Sequence, residues 1–103
     1  MTEIHEGGCL CGEVRFRVEG ESARASVCHC RYCQLRTGSA FGLGVYFETE
    51  KITRLSGQTQ SYQFTTESGN NWKIERCATC GTSMYWTIDS DLLANFTGTS
   101  AGC

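Results

Sequence analysis

Apolar and polar residues alternate with a period of two along most of this chain, the signature of half-buried β-strands. From Glu13 to Val18, Val14, Phe16 and Val18 fall on one face and Glu13, Arg15 and Arg17 on the other. Phe41, Leu43, Val45 and Phe47 repeat the pattern with Gly42 and Gly44 between them. Glycine inside a strand marks a bulge or a close approach by another group. Shorter strands are predicted at Ile52–Leu55, ended by Ser56-Gly57, and at Ser61–Thr65, where Tyr62 and Phe64 share a face. Ser68-Gly69-Asn70-Asn71 is the strongest turn signal. Trp72 and Ile74 share a face before Cys77, Met84, Trp86 and Ile88 share one after Cys80, and Leu92–Phe96 reads as a last strand. The one helical candidate, Arg31–Arg36, is under two turns. The expected fold is mainly β, a small domain of packed antiparallel sheets with at most one short helix.

The 103 residues suit a single domain, 1–103, with a thin core that buries roughly two-thirds of the unfolded surface. The apolar runs are too short for a membrane span. The polar start, Met1 to Glu6, lacks the charged and then apolar pattern of a secretory signal, so a cytoplasmic location is expected. A net charge of −2 with scattered Lys and Arg gives no electrostatic footprint for nucleic acid, and neither nucleic acid nor membrane is expected as a partner.

Seven of the eight cysteines change this picture, because they form three tight groups: Cys9 with Cys11, Cys28 with Cys30 and Cys33, and Cys77 with Cys80. In a reducing compartment such groups bind metal more often than they form disulfides. Near neighbours in CxC and CxCxxC are also poorly placed to bridge one another. Glycine follows both pairs, as Cys11-Gly12 and Cys80-Gly81, and permits a sharp turn. Cys9, Cys11, Cys77 and Cys80 therefore read as a closed four-thiolate zinc site joining the start of the chain to its last third. A pair of separate redox motifs is the alternative, but no thioredoxin-like βαβ pattern surrounds either.

Cys28, Cys30 and Cys33 make a second site one ligand short. It is either open, as catalytic zinc is, or closed by Cys103, His5 or His29 and purely structural. His29 lies between two ligands, so its side chain is expected to point away from the metal. Zinc with three thiolates carries a formal charge of about −1 and suits a soft incoming ligand such as a thiolate more than it suits hydrolysis.

The runs Gly8-Cys9-Leu10-Cys11-Gly12-Glu13-Val14, Cys28-His29-Cys30-Arg31-Tyr32-Cys33-Gln34 with Thr37-Gly38-Ser39-Ala40-Phe41, and Cys77-Ala78-Thr79-Cys80-Gly81-Thr82 together resemble the glutathione-dependent formaldehyde-activating enzyme family. Centromere protein V shares this domain. The resemblance implies a β-tent fold with two Zn2+ per chain. Cys9, Cys11, Cys77 and Cys80 would hold the structural ion, and Cys28, Cys30 and Cys33 the ion linked to activity and glutathione. The implied reaction is that of a carbon–sulfur lyase, joining formaldehyde and glutathione as S-hydroxymethylglutathione. His29, Arg31 and Ser39 are the candidates to donate to the developing alkoxide or to the peptide carboxylates. This chain has Ala40 and Ser83 where family members often carry Pro, and Arg76 where an aromatic often precedes the last cysteine pair. Relatives usually run on beyond Phe96-Thr97-Gly98-Thr99, so further C-terminal strands are expected to be lacking. The sheet edge this leaves would favour a homodimer. A non-catalytic zinc-stabilised binding module and a thiol or zinc sensor are the competing readings.

Overall fold

A computed structural model describes residues 3–103. Among them nine strands form two antiparallel sheets, with one short α-helix. The small sheet has the order β1-β2-β5, made of Ile4–Gly8, Arg15–Glu19 and Ile52–Ser56. The large sheet runs β3-β4-β9-β8-β7-β6, that is Arg24–Cys28, Gly42–Glu48, Phe96–Ser100, Ser83–Asp89, Asn71–Cys77 and Thr59–Thr65. Helix α1, Arg31–Thr37, connects β3 to β4, and a 3-10 turn at Thr49–Lys51 leads into β5.

The core lies between the sheets. Val14, Phe16 and Val18, predicted to share a face, pack from the small sheet onto Phe47, Cys77, Met84 and Tyr85 of the large one. Phe16 meets Tyr85 edge-on, with ring centroids 5.5 Å apart. At the other end of this interface Arg54 of β5 forks onto Glu75 of β7 with two 2.7 Å hydrogen bonds, and Thr59 adds a third to the same carboxylate. The Arg54 guanidinium also lies 4.3 Å over the Tyr85 ring.

Three expectations are corrected. Leu92–Phe96 is not the last strand: Ser90–Asn95 forms turns, Leu92 is 86% exposed, and the strand is Phe96–Ser100. In β4 the covered positions of the first half are Gly42 and Gly44, whereas Phe41 and Leu43, on the opposite side, stay exposed. The physical reason is on the outer face of the sheet, where α1 and the Trp86 indole lie against those glycines. Finally, β8 is buried on both faces, with Tyr85 covered as fully as Met84.

Gly98 of β9 shows how tightly that outer face is built. A Cβ there would lie 2.2 Å from Trp86 Nε1, so only glycine lets the indole lie flat on the strand. Trp86 then donates to the Tyr46 hydroxyl at 2.9 Å and carries the Arg36 guanidinium 4.2 Å above its ring.

Candidate metal centres

The four-cysteine group is assembled from two loops of the same design. Cys9 and Cys11 lie between β1 and β2, Cys77 and Cys80 between β7 and β8. Each loop turns on a glycine in the left-handed region, Gly12 at φ 83° and Gly81 at φ 80°. Their N–H groups return to the carbonyls of Cys9 and Cys77. Backbone N–H groups of Val14, Thr79 and Cys80 point at the Cys9 and Cys77 sulfurs at 3.3–3.4 Å, the environment a thiolate needs. Thr82 joins the loops: it accepts from the Leu10 N–H at 3.2 Å, and its hydroxyl lies 3.1 Å from Cys80 Sγ. That hydroxyl is the main reason the Cys80 thiol is drawn down to about 5.

All four sulfurs lie within 4.8 Å of one another. Zn–S bonds near 2.3 Å in a tetrahedron separate sulfurs by about 3.8 Å. The Cys9–Cys11 and Cys11–Cys77 separations are 3.5 and 3.7 Å, so the group could hold a metal ion and is consistent with zinc.

The second group is local. Cys28 ends β3, Cys30 caps α1 by accepting the Cys33 N–H at 3.4 Å, and Cys33 points inward from the first turn. The three sulfurs again lie within 4.8 Å, and no fourth His, Cys, Asp or Glu donor joins them among the described residues. Cys30 is exposed and Cys33 buried. Burial, then the neighbouring Cys28 and Cys30, push the Cys33 thiol up to about 12. Three such thiols resist ionising together without a cation between them, so the donor chemistry again suits a metal.

Closure of this site by Cys103 or His5 is corrected. The Cys103 thiol lies at the four-cysteine end, 4.0 Å from Met84 Sδ, where burial and the nearby Cys9 and Cys80 raise its pKa. Its carbonyl accepts the Gly8 N–H at 3.2 Å, so the residue is held in place. His5 is exposed on β1 beside Glu3. His29 stands between the ligands with its ring 5.4 Å from that of Phe41.

The other two predicted site residues sit at opposite ends of α1. Arg31 is exposed in the first turn and donates to Gln34 at 3.2 Å, and Gln34 in turn donates to the His29 and Ala40 carbonyls, tying the loop ends together. Ser39 is exposed beyond Gly38, at the opposite end of the helix from Cys30. Arg36 was not among the predicted residues, yet its guanidinium is packed close to the buried sulfur. Its Nη2 and Cys33 Sγ lie 2.7 and 3.6 Å from the same point, where a Gly42 Cβ would be. The signal was available in the spacing, since residues three apart on a helix share a face.

A family model for the glutathione-dependent formaldehyde-activating enzyme matches residues 4–103. The chain belongs to that family. The match takes in both cysteine groups and all nine strands. Among solved structures, a Rhodobacter sphaeroides protein is similar at 22% identity with a TM-score of 0.73, over 95% of this chain and 85% of its own. That likeness concerns the fold. No curated protein matches the chain. No helix among the described residues is long and apolar enough to cross a membrane.

Proposed function

We propose that the chain is a zinc-dependent enzyme of the carbon–sulfur lyase type that acts on adducts of glutathione, forming S-hydroxymethylglutathione from formaldehyde and the thiol. The supporting observation is the cluster of Cys28, Cys30 and Cys33, three convergent sulfurs with one exposed member and no fourth protein donor among the described residues. A zinc ion held there would favour the thiolate form of an incoming thiol. The four-cysteine group carries the structural ion in this reading.

The remaining chemistry falls to side chains of the loop. His29 and Arg31 flank Cys30 and are both exposed, so either can donate to the oxygen on which charge develops as the thiolate adds to the carbonyl carbon. Gln34 fixes the loop that presents them. Ser39 is the least central of the three, since it stands past the helix C-cap.

The test combines metal content with exchange rates. Zinc analysis should give two ions per chain in the wild type and one in Cys30→Ser, with the fold intact. Exchange NMR on formaldehyde and glutathione should show adduct formation faster than the spontaneous reaction, and Cys30→Ser should remove the excess. A wild-type rate equal to background would overturn the enzymatic reading and favour a binding module.

A further inference from the structure

The outer face of the large sheet is only partly covered by α1. From β4 towards β6 it carries the Cys33 sulfur against Gly42, then the Arg36 guanidinium over Trp86, then an apolar groove lined by Tyr32, Leu35, Arg36, Tyr62, Phe64 and Ile74. The groove encloses about 340 Å3, where roughly 150 Å3 suffices for a benzene ring. Its aromatic walls are nearly parallel: Tyr32 stacks on Phe64 at an interplanar angle of 20° and Tyr62 on Phe64 at 26°. Such a face accepts another ring readily.

Arg36 is the one charged residue of the groove. Among the described residues it has no carboxylate partner and donates no hydrogen bond, and its Nε is buried and unpaired. The indole supports its guanidinium from below, and Nη2 reaches towards Gly42 and Cys33, so N–H donors are presented beside the three-cysteine group. No carboxylate among the described residues lies within ion-pair distance of it, and a planar guanidinium in this setting matches a carboxylate.

We propose that Arg36 and this groove form a subsite for an aromatic carboxylate, the anion paired with Arg36 and the ring seated against Tyr62 and Phe64. Resting on the enzymatic reading above, the bound group is the anionic, aryl-bearing end of a thiol substrate whose sulfur reaches Cys28, Cys30 and Cys33. The substrate class of that site then extends from glutathione to acidic thiols with an aromatic body, whose ring would fill the part of the groove that glutathione leaves empty.

Phenylacetate is the probe, titrated into the zinc-loaded chain and followed by NMR, beside benzyl alcohol, which lacks the charge, and acetate, which lacks the ring. Phenylacetate should move the Arg36 Nε–H and the amides of Tyr62, Phe64 and Ile74, binding about tenfold tighter than either control. Arg36→Met keeps an apolar cover over Trp86 and should weaken phenylacetate about tenfold while leaving benzyl alcohol unchanged. Arg36→Lys should restore part of the loss. Tyr62→Ser, at a position 59% exposed where folding is not at stake, should weaken both ring-bearing probes about threefold. Equal binding of phenylacetate and benzyl alcohol, shifts outside the groove, or indifference to Arg36→Met would each overturn the proposal. None of these readings depends on turnover, so failure of the enzymatic reading would be seen separately, as a background rate in the exchange assay.

Discussion

Replacing Arg54 by Met tests what holds the two sheets together. The Glu75 side chain is only 10% exposed and Arg54 is 50% exposed, so the two ends of this ion pair stand in different surroundings. Without Arg54, a buried carboxylate keeps a single hydrogen bond, from Thr59. Breaking a buried pair in this way costs about 3–5 kcal/mol, and the half-exposed arginine argues for the lower end, about 3 kcal/mol. Glu75→Gln leaves an arginine that can turn into water and an amide that can still accept, so it should cost about 1.5 kcal/mol. The double variant should be no worse than Arg54→Met alone, giving a coupling energy of about 1.5 kcal/mol. Urea unfolding at saturating zinc and neutral pH measures all four corners, and Arg54→Met should lower Tm by roughly 12–24 °C. Acid adds a second readout. The Arg54 hydrogen bonds hold the Glu75 carboxyl below its ordinary value, so its contribution is complete above the unfolded pKa, about 4.3, and is lost as pH falls through the folded one. The gap between wild type and Arg54→Met should therefore narrow on acidification, as the variant's stranded carboxyl protonates. A Glu75→Gln cost equal to or above that of Arg54→Met, or a coupling below about 0.5 kcal/mol, would refute the reasoning.

Gly98→Ala drives a methyl into the Trp86 indole; it should destabilise by about 2–3 kcal/mol in urea titrations and disturb Trp86 fluorescence. Tyr85→Phe should be neutral within about 0.5 kcal/mol or stabilising, because the Tyr85 hydroxyl is buried and finds no hydrogen-bond partner among the described residues. Each group has one thiol pushed up to about 12, Cys11 and Cys33, that metal binding must deprotonate, but the four-cysteine group would hold its ion with one thiolate more and with Cys80 drawn down to about 5. Lowering the pH from 7 to 4 should thus release zinc first from the three-cysteine group, as two steps in an indicator titration, with the second step missing in Cys11→Ser.

Where the chain announces its structure, it does so by side chains that must be hidden or must meet. Val14, Phe16 and Val18 mark the inner face of β2, and the cysteine spacings mark both groups that could hold metal, because metal ligation tolerates little variation in spacing. β1 is Ile-His-Glu-Gly-Gly with only Gly7 buried, and β3 is Arg-Ala-Ser-Val-Cys with no residue fully buried, so neither has an apolar face to read. β9 escaped for the opposite reason. Its centre, Thr97-Gly98-Thr99, is buried but not apolar. The Thr hydroxyls are satisfied by Thr49 and the Val45 carbonyl, and the glycine makes room for Trp86, none of which periodicity can report. Helical spacing puts Arg36 on the same face of α1 as Cys33, but the ring that supports it belongs to Trp86, fifty positions later in the chain, which no local pattern announces.

The position of β9 in the sheet bears on the order in which the protein can be made. It pairs with β4 on one side and β8 on the other, so residues 96–100 are the keystone between a half built from β3 and β4 and a half built from β6, β7 and β8. On the ribosome the eight strands before it emerge first, yet β4 and β8 cannot be joined until this segment has left the exit tunnel. Until then two incomplete sheets expose open edges next to unfilled thiol clusters. Emergence of β9, whose centre is not apolar, rather than of any hydrophobic segment, is what joins the two halves of the large sheet.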